Sequence, residues 1–104
     1  MKALRSHVVG GPETLTLDEV ESPVPGPGQV RITVMACAIN FPDVLIIKDM
    51  YQFKPPRPFA PGGELSGVIA AVGEGVTQWQ VGDRVIAMMG NGGLAEEEIG
   101  RAHV

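Results

Sequence analysis

The chain has 104 residues, of which 44% are hydrophobic and 19% are charged, a composition that suits one soluble domain with a modest core. Its net charge of −4 and the lack of a basic cluster argue against a nucleic-acid partner, and no apolar run is long enough to cross a bilayer. The single cysteine, Cys37, excludes an internal disulfide and Met1–Val9 lacks the apolar segment of a secretory signal, so the expected location is the cytoplasm.

Three short segments precede the most regular part of the sequence. Met1–Val9 is predicted to be a first strand, ending at the turn Gly10-Gly11-Pro12. Thr14–Leu17 alternates polar and apolar residues, which predicts a half-buried strand. Ser22–Gly28 contains three prolines and two glycines, so it is predicted to be a loop.

The clearest strand in the sequence starts at Val30. Asn40-Phe41-Pro42 ends this strand, and Pro42 suits the first turn of a helix, where its missing N–H costs nothing. We predict that helix over Asp43–Lys48. Alternation places the strand's side chains on two faces, with Val30, Ile32, Val34, Ala36 and Ala38 on one and Arg31, Thr33, Met35, Cys37 and Ile39 on the other.

The second half predicts a proline-rich loop and two further strands. Asp49–Gly63 carries four prolines, and an irregular stretch of this length is usually functional or mobile. The apolar segments Leu65–Val72 and Arg84–Met89 are predicted strands, with turns at Gly73-Glu74-Gly75 and Gly82-Asp83. Short strands separated by glycine turns indicate a mainly β fold, either a small barrel or a sandwich.

The C-terminal residues differ in character from the rest. Gly92–Glu96 is typical of a loop that leads into another strand. Ile99–Val104 reads Ile-Gly-Arg-Ala-His-Val, which one reading frame of a common sequencing-adapter oligonucleotide encodes. We expect residues 99–104 to be non-native, the alternative being a genuine C-terminal tail, and His103 receives no functional role in either case.

The sequence does not predict a metal or phosphate site. The ligands available to zinc are His7, Cys37 and His103, without CxxC or HExxH spacing, whereas zinc sites use three or four protein ligands. A lone cysteine on a strand is usually a small apolar filler. The glycines form neither a GxGxxG fingerprint nor a P-loop, so they are interpreted as turns and no site for a dinucleotide pyrophosphate is expected.

Three polar residues are candidates for chemistry. Asn40 follows the clearest strand, and its carboxamide can read another carboxamide or hold a carbonyl oxygen, while Tyr51 offers a hydroxyl beside a planar ligand. The competing interpretation is that Asn40 serves the turn and Tyr51 only packs. Glu64 begins an apolar strand, where a partly buried carboxylate needs a partner, and we favour a structural salt bridge, for which Arg84 is one candidate partner, over a functional role.

Several motifs in a fixed order carry a family resemblance. The matching stretches are Gly11-Pro12-Glu13, Pro25–Val30, Asn40–Asp43, Tyr51, Pro58–Glu64, Val72–Val76 and Val81–Val85. They resemble those of the medium-chain dehydrogenase/reductase superfamily, and are most similar to its zinc-free NADPH:quinone oxidoreductases. The resemblance implies a GroES-like, partly open β-barrel with one or two short helices, in which residues 1–98 form an incomplete N-terminal catalytic domain.

The resemblance also implies how the site works. Zinc enzymes of the superfamily have a cysteine ligand where this chain has Asn40 and a histidine ligand where it has Gly63, so no zinc is expected. Asn40, Pro42 and Tyr51 are expected to line the nicotinamide site of NADPH, with Asn40 and Tyr51 as the catalytic pair. Asp43 matches a residue that zinc and zinc-free members share, and is expected to give structural support.

The implied activity of the full-length protein is hydride transfer from NADPH to a quinone or an activated alkene. Some relatives have a tyrosine where this chain has Leu45, so the acceptor is less well defined than the fold. A Rossmann domain is expected to follow and is absent, so the fragment alone should be inactive, and the full-length protein is expected to be a homodimer. The alternatives are an enoyl-thioester reductase of the same superfamily, a non-catalytic GroES-like binding module and a catalytically quiet NADPH-binding protein.

Overall fold

The computed structural model describes residues 1–101, which form a mainly β structure in two sheets. The strands are β1 (Lys2–Arg5), β2 (Thr16–Glu19), β3 (Gln29–Ala38), β4 (Glu64–Val72), β5 (Arg84–Met88) and β6 (Glu97–Arg101), with the helix α1 at Phe41–Ile47 and a 3-10 turn at Pro12–Thr14. β1 and β2 pair with each other, and the larger sheet has the order β5-β4-β3-β6, with every pair antiparallel. The two sheets do not close into one barrel, which confirms the expected partly open β fold.

The main core lies between β3 and β4. Val30, Ile32, Leu65 and Ile69 are each at most 4% exposed and pack against one another. These residues come from alternate positions near the start of β3 and along β4, so each strand turns one apolar face inward. This part of the predicted side-chain pattern is confirmed.

A bulge changes that pattern in the second half of β3. The β3–β4 register shifts between Val34 and Ala36, and Met35 has no paired residue on β4. Because one extra residue reverses the alternation of side chains, Cys37 packs against the core while Ala36 and Ala38 are exposed. The prediction that Ala36 and Ala38 share one face with Val30 is therefore wrong, and Cys37 takes the inward position.

A second buried cluster attaches α1 to the start of the chain. Ser6 is fully buried and exchanges two backbone hydrogen bonds with Phe59, at 2.8 and 3.3 Å. This pairing connects the end of β1 to the proline-rich loop that follows α1. The buried apolar residues of this cluster are Ile46, Ile47 and Phe59, with Leu15 and Tyr51 packed against them.

The element boundaries differ modestly from those that the sequence predicts. β4 and β5 lie where they were expected, and the turns between them fall at Gly75 and Gly82, both of which have positive φ. The helix begins at Phe41 rather than at Asp43, and β2 begins two residues later than predicted. Both differences concern termini, where local propensity says least about the exact residue.

The last part of the chain enters the larger sheet as β6, which pairs with β3 between Gln29 and Thr33. β6 includes residues 99–101 of the predicted non-native tail, and residues 102–104, with His103, lie outside the described part. The origin of the tail therefore stays a prediction. Among residues 1–101, no helix has the length and apolar character needed to cross a membrane.

Candidate functional site

Asn40 lies at the junction between β3 and α1, and its backbone is held by the first turn of the helix. The Asn40 N–H donates to Asp43 Oδ2 at 2.8 Å, and the Asp43 N–H donates to the Asn40 carbonyl oxygen at 3.0 Å. Pro42 occupies the first turn, as predicted. Asp43 is only 7% exposed, so its carboxylate is committed to this contact, which agrees with the expected structural role.

The side chain of Asn40 bonds to Glu64. Asn40 Nδ2 donates to Glu64 Oε1 at 3.1 Å, and both residues are exposed. The antiparallel register explains the contact, since Ala38 at the end of β3 is paired with Glu64 at the start of β4. Two residues that the sequence analysis considered separately are thus brought together at one edge of the sheet.

The prediction of a salt bridge between Glu64 and Arg84 is wrong. Glu64 is exposed rather than drawn inside, and on β5 it pairs with Met88, whereas Arg84 pairs with Val68. Four residues of strand separate the two positions, which is roughly 13 Å at the usual rise. The carboxylate therefore finds its partner on the other side of β4, in the amide of Asn40.

Tyr51 belongs to a different part of the site. Its ring packs against the α1 cluster of Ile46, Ile47 and Phe59, and its hydroxyl makes no hydrogen bond within residues 1–101. It also makes no hydrogen bond with Asn40. The packing interpretation accounts for the ring, while the hydroxyl remains available to a ligand.

Arg57 anchors the loop that carries Tyr51, a role that the sequence analysis missed. Its Nη2 donates to the carbonyl oxygen of Ile47 at 2.9 Å, and its Nε donates to Ser6 Oγ at 3.2 Å. The guanidinium also lies 5.4 Å from the centre of the Phe59 ring, within cation–π range. No local sequence signal identifies this role, because both hydrogen-bond acceptors lie far along the chain.

Cys37 fills the space beneath the same edge of the sheet. A side chain built on either Gly62 or Gly93 would come within 2.7 Å of Cys37 Sγ, so both residues must remain glycine for the loops to approach the thiol. The two loops are joined by a hydrogen bond from the Gly93 N–H to the Gly62 carbonyl oxygen at 3.0 Å. Burial, with a smaller contribution from the charge of Asp43, raises the pKa of the Cys37 thiol. The filler role expected for this cysteine agrees with its packing.

The residues at this edge do not fit a zinc ion. No group of three or more histidine, cysteine or acidic residues within the described part of the chain is arranged to hold a metal. At position 63, a Cβ atom would lie 2.7 Å from the Met89 carbonyl oxygen, so a histidine there would require the backbone to move. Asn40 carries a neutral amide, whereas protein zinc sites are built from cysteine, histidine and carboxylate side chains.

Three exposed apolar residues adjoin the Asn40–Glu64 pair along the chain or across the sheet. Ile39 and Phe41, the two chain neighbours of Asn40, are 71% and 72% exposed, and Met88, the strand partner of Glu64, is 79% exposed. A polar pair among unpartnered apolar groups suits a flat ligand with a polar substituent, because the ring buries apolar surface while the pair meets the substituent. The donor set thus fits the carboxamide-bearing ring of a nicotinamide.

A concavity against β3, β4, β5 and β6 includes neither Asn40 nor Tyr51 in its lining. Among its lining residues is Glu98, whose pKa is raised to about 7 by burial, with a hydrogen bond from the Ile99 N–H acting in the opposite direction. The sequence analysis missed this carboxyl group. Glu98 adjoins the tail that is expected to be non-native. It is therefore given no functional role, and the candidate site comprises Asn40 and its neighbours.

The chain belongs to the alcohol dehydrogenase GroES-like domain family, which matches residues 26–103. It is 46% identical over 77 residues to the rat (Rattus norvegicus) synaptic vesicle membrane protein VAT-1 homolog, covering 74% of this chain and 19% of that protein. It is 41% identical over 105 residues to the quinone oxidoreductase of Lama guanicoe, covering 99% of this chain and 32% of the relative. The chain therefore spans about a third or less of the length of these relatives, and the resemblance to the medium-chain dehydrogenase/reductase superfamily is confirmed.

Solved structures of oxidoreductases are also similar to this chain. The Escherichia coli quinone oxidoreductase complexed with NADPH is 30% identical, with a TM-score of 0.88 over 95% of this chain and 30% of that one. The JamJ enoyl reductase in its apo form is 28% identical, with a TM-score of 0.85 over 97% of this chain and 33% of that one. Both similarities extend over nearly the whole of the present chain, and each leaves most of the other protein unmatched.

Proposed function

We propose that the complete gene product is a zinc-free oxidoreductase that uses NADPH to reduce a quinone or an activated alkene, and that this chain forms one wall of its nicotinamide site. The observation that carries the proposal is the amide of Asn40, held by Glu64 among exposed apolar side chains at a sheet edge without metal ligands. The similarity to quinone oxidoreductases, one of them complexed with NADPH, supports the same assignment.

The proposed roles of the residues follow from their contacts. Asn40 orients the carboxamide of the cofactor, because its backbone is fixed by Asp43 and its side chain by Glu64. Pro42 lines the site from the first turn of α1, and Tyr51 directs its hydroxyl toward the bound ring or acceptor. The reduced nicotinamide, when bound, supplies a hydride, and a proton from water completes the hydroquinone. Orientation of the cofactor is thus the contribution of this chain.

The rest of the cofactor requires residues beyond this chain. Its described residues include no glycine-rich loop at a strand-to-helix junction, which is the usual site for a dinucleotide pyrophosphate. We propose that a Rossmann domain supplies that site, that the fragment alone binds NADPH weakly and has no turnover, and that the complete protein is a cytoplasmic homodimer.

The second candidate is an enoyl-thioester reductase. The similarity to the JamJ enoyl reductase favours it, and the same wall could hold the nicotinamide in both cases. The two candidates differ in the acceptor. A non-catalytic GroES-like binding module or a catalytically quiet NADPH-binding protein would have no acceptor at all.

A side-by-side assay of the complete gene product distinguishes these functions. NADPH oxidation is followed at 340 nm with 1,4-benzoquinone and with crotonyl-CoA, for the native protein and for Asn40→Ala. We expect turnover with the quinone, and a loss of about 10- to 100-fold in kcat/KM for NADPH in the variant. Faster turnover of crotonyl-CoA would favour the second candidate, and no NADPH oxidation with either acceptor would contradict both.

A further inference from the structure

The hydrogen bond between Asn40 and Glu64 joins two different kinds of group. The Asn40 amide can donate or accept a hydrogen bond, whereas the ionised Glu64 carboxylate can only accept one. An amide side chain offers a carbonyl oxygen at one end and an NH2 group at the other, and in most environments it can rotate by 180° to exchange them. Glu64 Oε1 lies 3.1 Å from Asn40 Nδ2. A rotated amide would place the Asn40 oxygen against a carboxylate oxygen, where two acceptors repel, so Glu64 permits one orientation only.

We propose that Glu64 is a positioning residue that, together with the capping-box contact between the Asn40 side chain and the Asp43 N–H, fixes the Asn40 amide with its nitrogen toward β4 and leaves the second lone pair of Oδ1 for the ligand. This inference rests on the proposed function and adds to it the direction of the hydrogen bond. An amide oxygen has two lone pairs, so Asn40 accepts a hydrogen bond from an N–H donor on the ligand. The donor that a reduced nicotinamide offers is the NH2 group of its carboxamide.

The direction of this bond assigns Asn40 to the cofactor rather than to the acceptor substrate. A quinone or enone presents only carbonyl oxygens, which require a donor from the protein. With one Asn40 N–H committed to Glu64, the amide keeps one N–H and the Oδ1 acceptor, and a carboxamide can pair with both because it carries an NH2 group and a carbonyl oxygen, whereas a quinone can pair only with the N–H. Changes at Glu64 should therefore alter the binding of NADPH and leave the KM for the quinone unchanged.

The first variant to test is Glu64→Gln, which keeps the length and polarity of the side chain but can both donate and accept. It no longer forbids the rotated Asn40 amide, so the two orientations become populated. In the complete gene product we expect the KM for NADPH to rise about tenfold, with the KM for the quinone and the thermal midpoint close to those of the native protein. Glu64→Ala, which leaves the amide without its partner, should have the same effect on NADPH or a larger one.

The matched control is Glu74→Gln, which makes the same change of charge beyond the opposite end of β4. Glu74 is exposed and its side chain makes no hydrogen bond or ion pair within residues 1–101, so this variant should keep the native KM for both substrates. The expected pattern is thus a selective change for Glu64→Gln and none for Glu74→Gln. An unchanged KM for NADPH in Glu64→Gln, or an increase only in the KM for the quinone, would overturn the inference.

A second measurement does not depend on activity. The chain has two asparagines, Asn40 and Asn91, so selective 15N-asparagine labelling of the 104-residue chain yields two pairs of side-chain amide signals. We expect the Asn40 pair to shift in Glu64→Gln and the Asn91 pair to stay in place. An Asn40 pair that is identical in both proteins would show that Glu64 does not hold the amide.

The two measurements separate the possible failures. If Asn40→Ala weakens NADPH binding but Glu64→Gln does not, the positioning role of Glu64 is wrong and the proposed function stands. If the NMR signals respond to Glu64→Gln but the complete protein oxidises no NADPH, the contact is correct and the proposed function is wrong.

Discussion

The two ends of α1 contrast in burial and in what they contribute. At its C-terminal end, Ile46, Ile47 and Phe59 are buried, and Arg57 donates two hydrogen bonds that join the helix and the following loop to Ser6. At its N-terminal end, Asn40 and Glu64 are exposed and held together by one hydrogen bond. The buried end should therefore determine stability and the exposed end ligand binding, so substitutions at the two ends should have separable effects.

The largest effect on stability is expected from Phe59→Ala at the buried end. Phe59 is 6% exposed, and truncation of a buried phenylalanine costs about 3–5 kcal/mol through lost burial and the cavity left behind. Urea unfolding of the chain, followed by circular dichroism, measures the change. The control is Val81→Ala, at a side chain that is 64% exposed, where a change below about 0.5 kcal/mol is expected. Equal effects at the two positions would contradict the assignment of Phe59 to the buried cluster that supports α1.

A smaller loss is expected from Arg57→Met, which keeps much of the apolar stem but removes both hydrogen bonds. We expect a decrease of about 1–3 kcal/mol in the free energy of unfolding, since the Ser6 hydroxyl and the Ile47 carbonyl oxygen lose a charged donor. The matched control is Arg84→Met, because the side chain of the exposed Arg84 makes no hydrogen bond or ion pair within the described residues. If Arg84→Met proved equally destabilising, the anchoring role of Arg57 would be wrong.

The smallest expected effect is on the reactivity of the Cys37 thiol, which lies beneath the exposed N-terminal end of α1. Because burial raises the pKa of its thiol, the reactive thiolate is scarcer in the folded chain than in a free cysteine, and alkylation by iodoacetamide at pH 8 should be slow. The folded state holds this proton more tightly than the unfolded state does, so stability should fall as the pH rises past the unfolded thiol's pKa of about 8.5. Alkylation rates measured with and without urea test this. Equal rates would mean that the thiol is not buried.

The sequence predicted those parts of the fold that depend on local pattern. Apolar segments bounded by glycine turns identified β4 and β5, and Pro42 indicated the start of a helix. The bulge at Met35 could not be predicted, because it depends on the register between β3 and β4 rather than on the pattern of either strand. That bulge is the reason why Cys37, rather than Ala38, points toward the core.

The residue types expected at the site stay a prediction, whereas the expected pairing of Glu64 differs from the one in the structure. Asn40 and Glu64 were both candidates, but their contact requires the ends of two antiparallel strands to meet, which neither motif encodes alone. The partner expected for Glu64, Arg84, was wrong for the same reason, since the β4–β5 register separates them. Arg57 gave no local signal, because its partners Ser6 and Ile47 are close only in the folded chain.

The central claim is that the Asn40 site works through a positioned nicotinamide and without a metal. The most direct measurement is the rate of NADPH oxidation by 1,4-benzoquinone in the complete gene product, before and after prolonged dialysis against 1,10-phenanthroline. The account predicts the same rate in both samples, because neither Asn40 nor Gly63 offers a zinc ligand. A rate that is lost on dialysis and restored by one equivalent of zinc would contradict it.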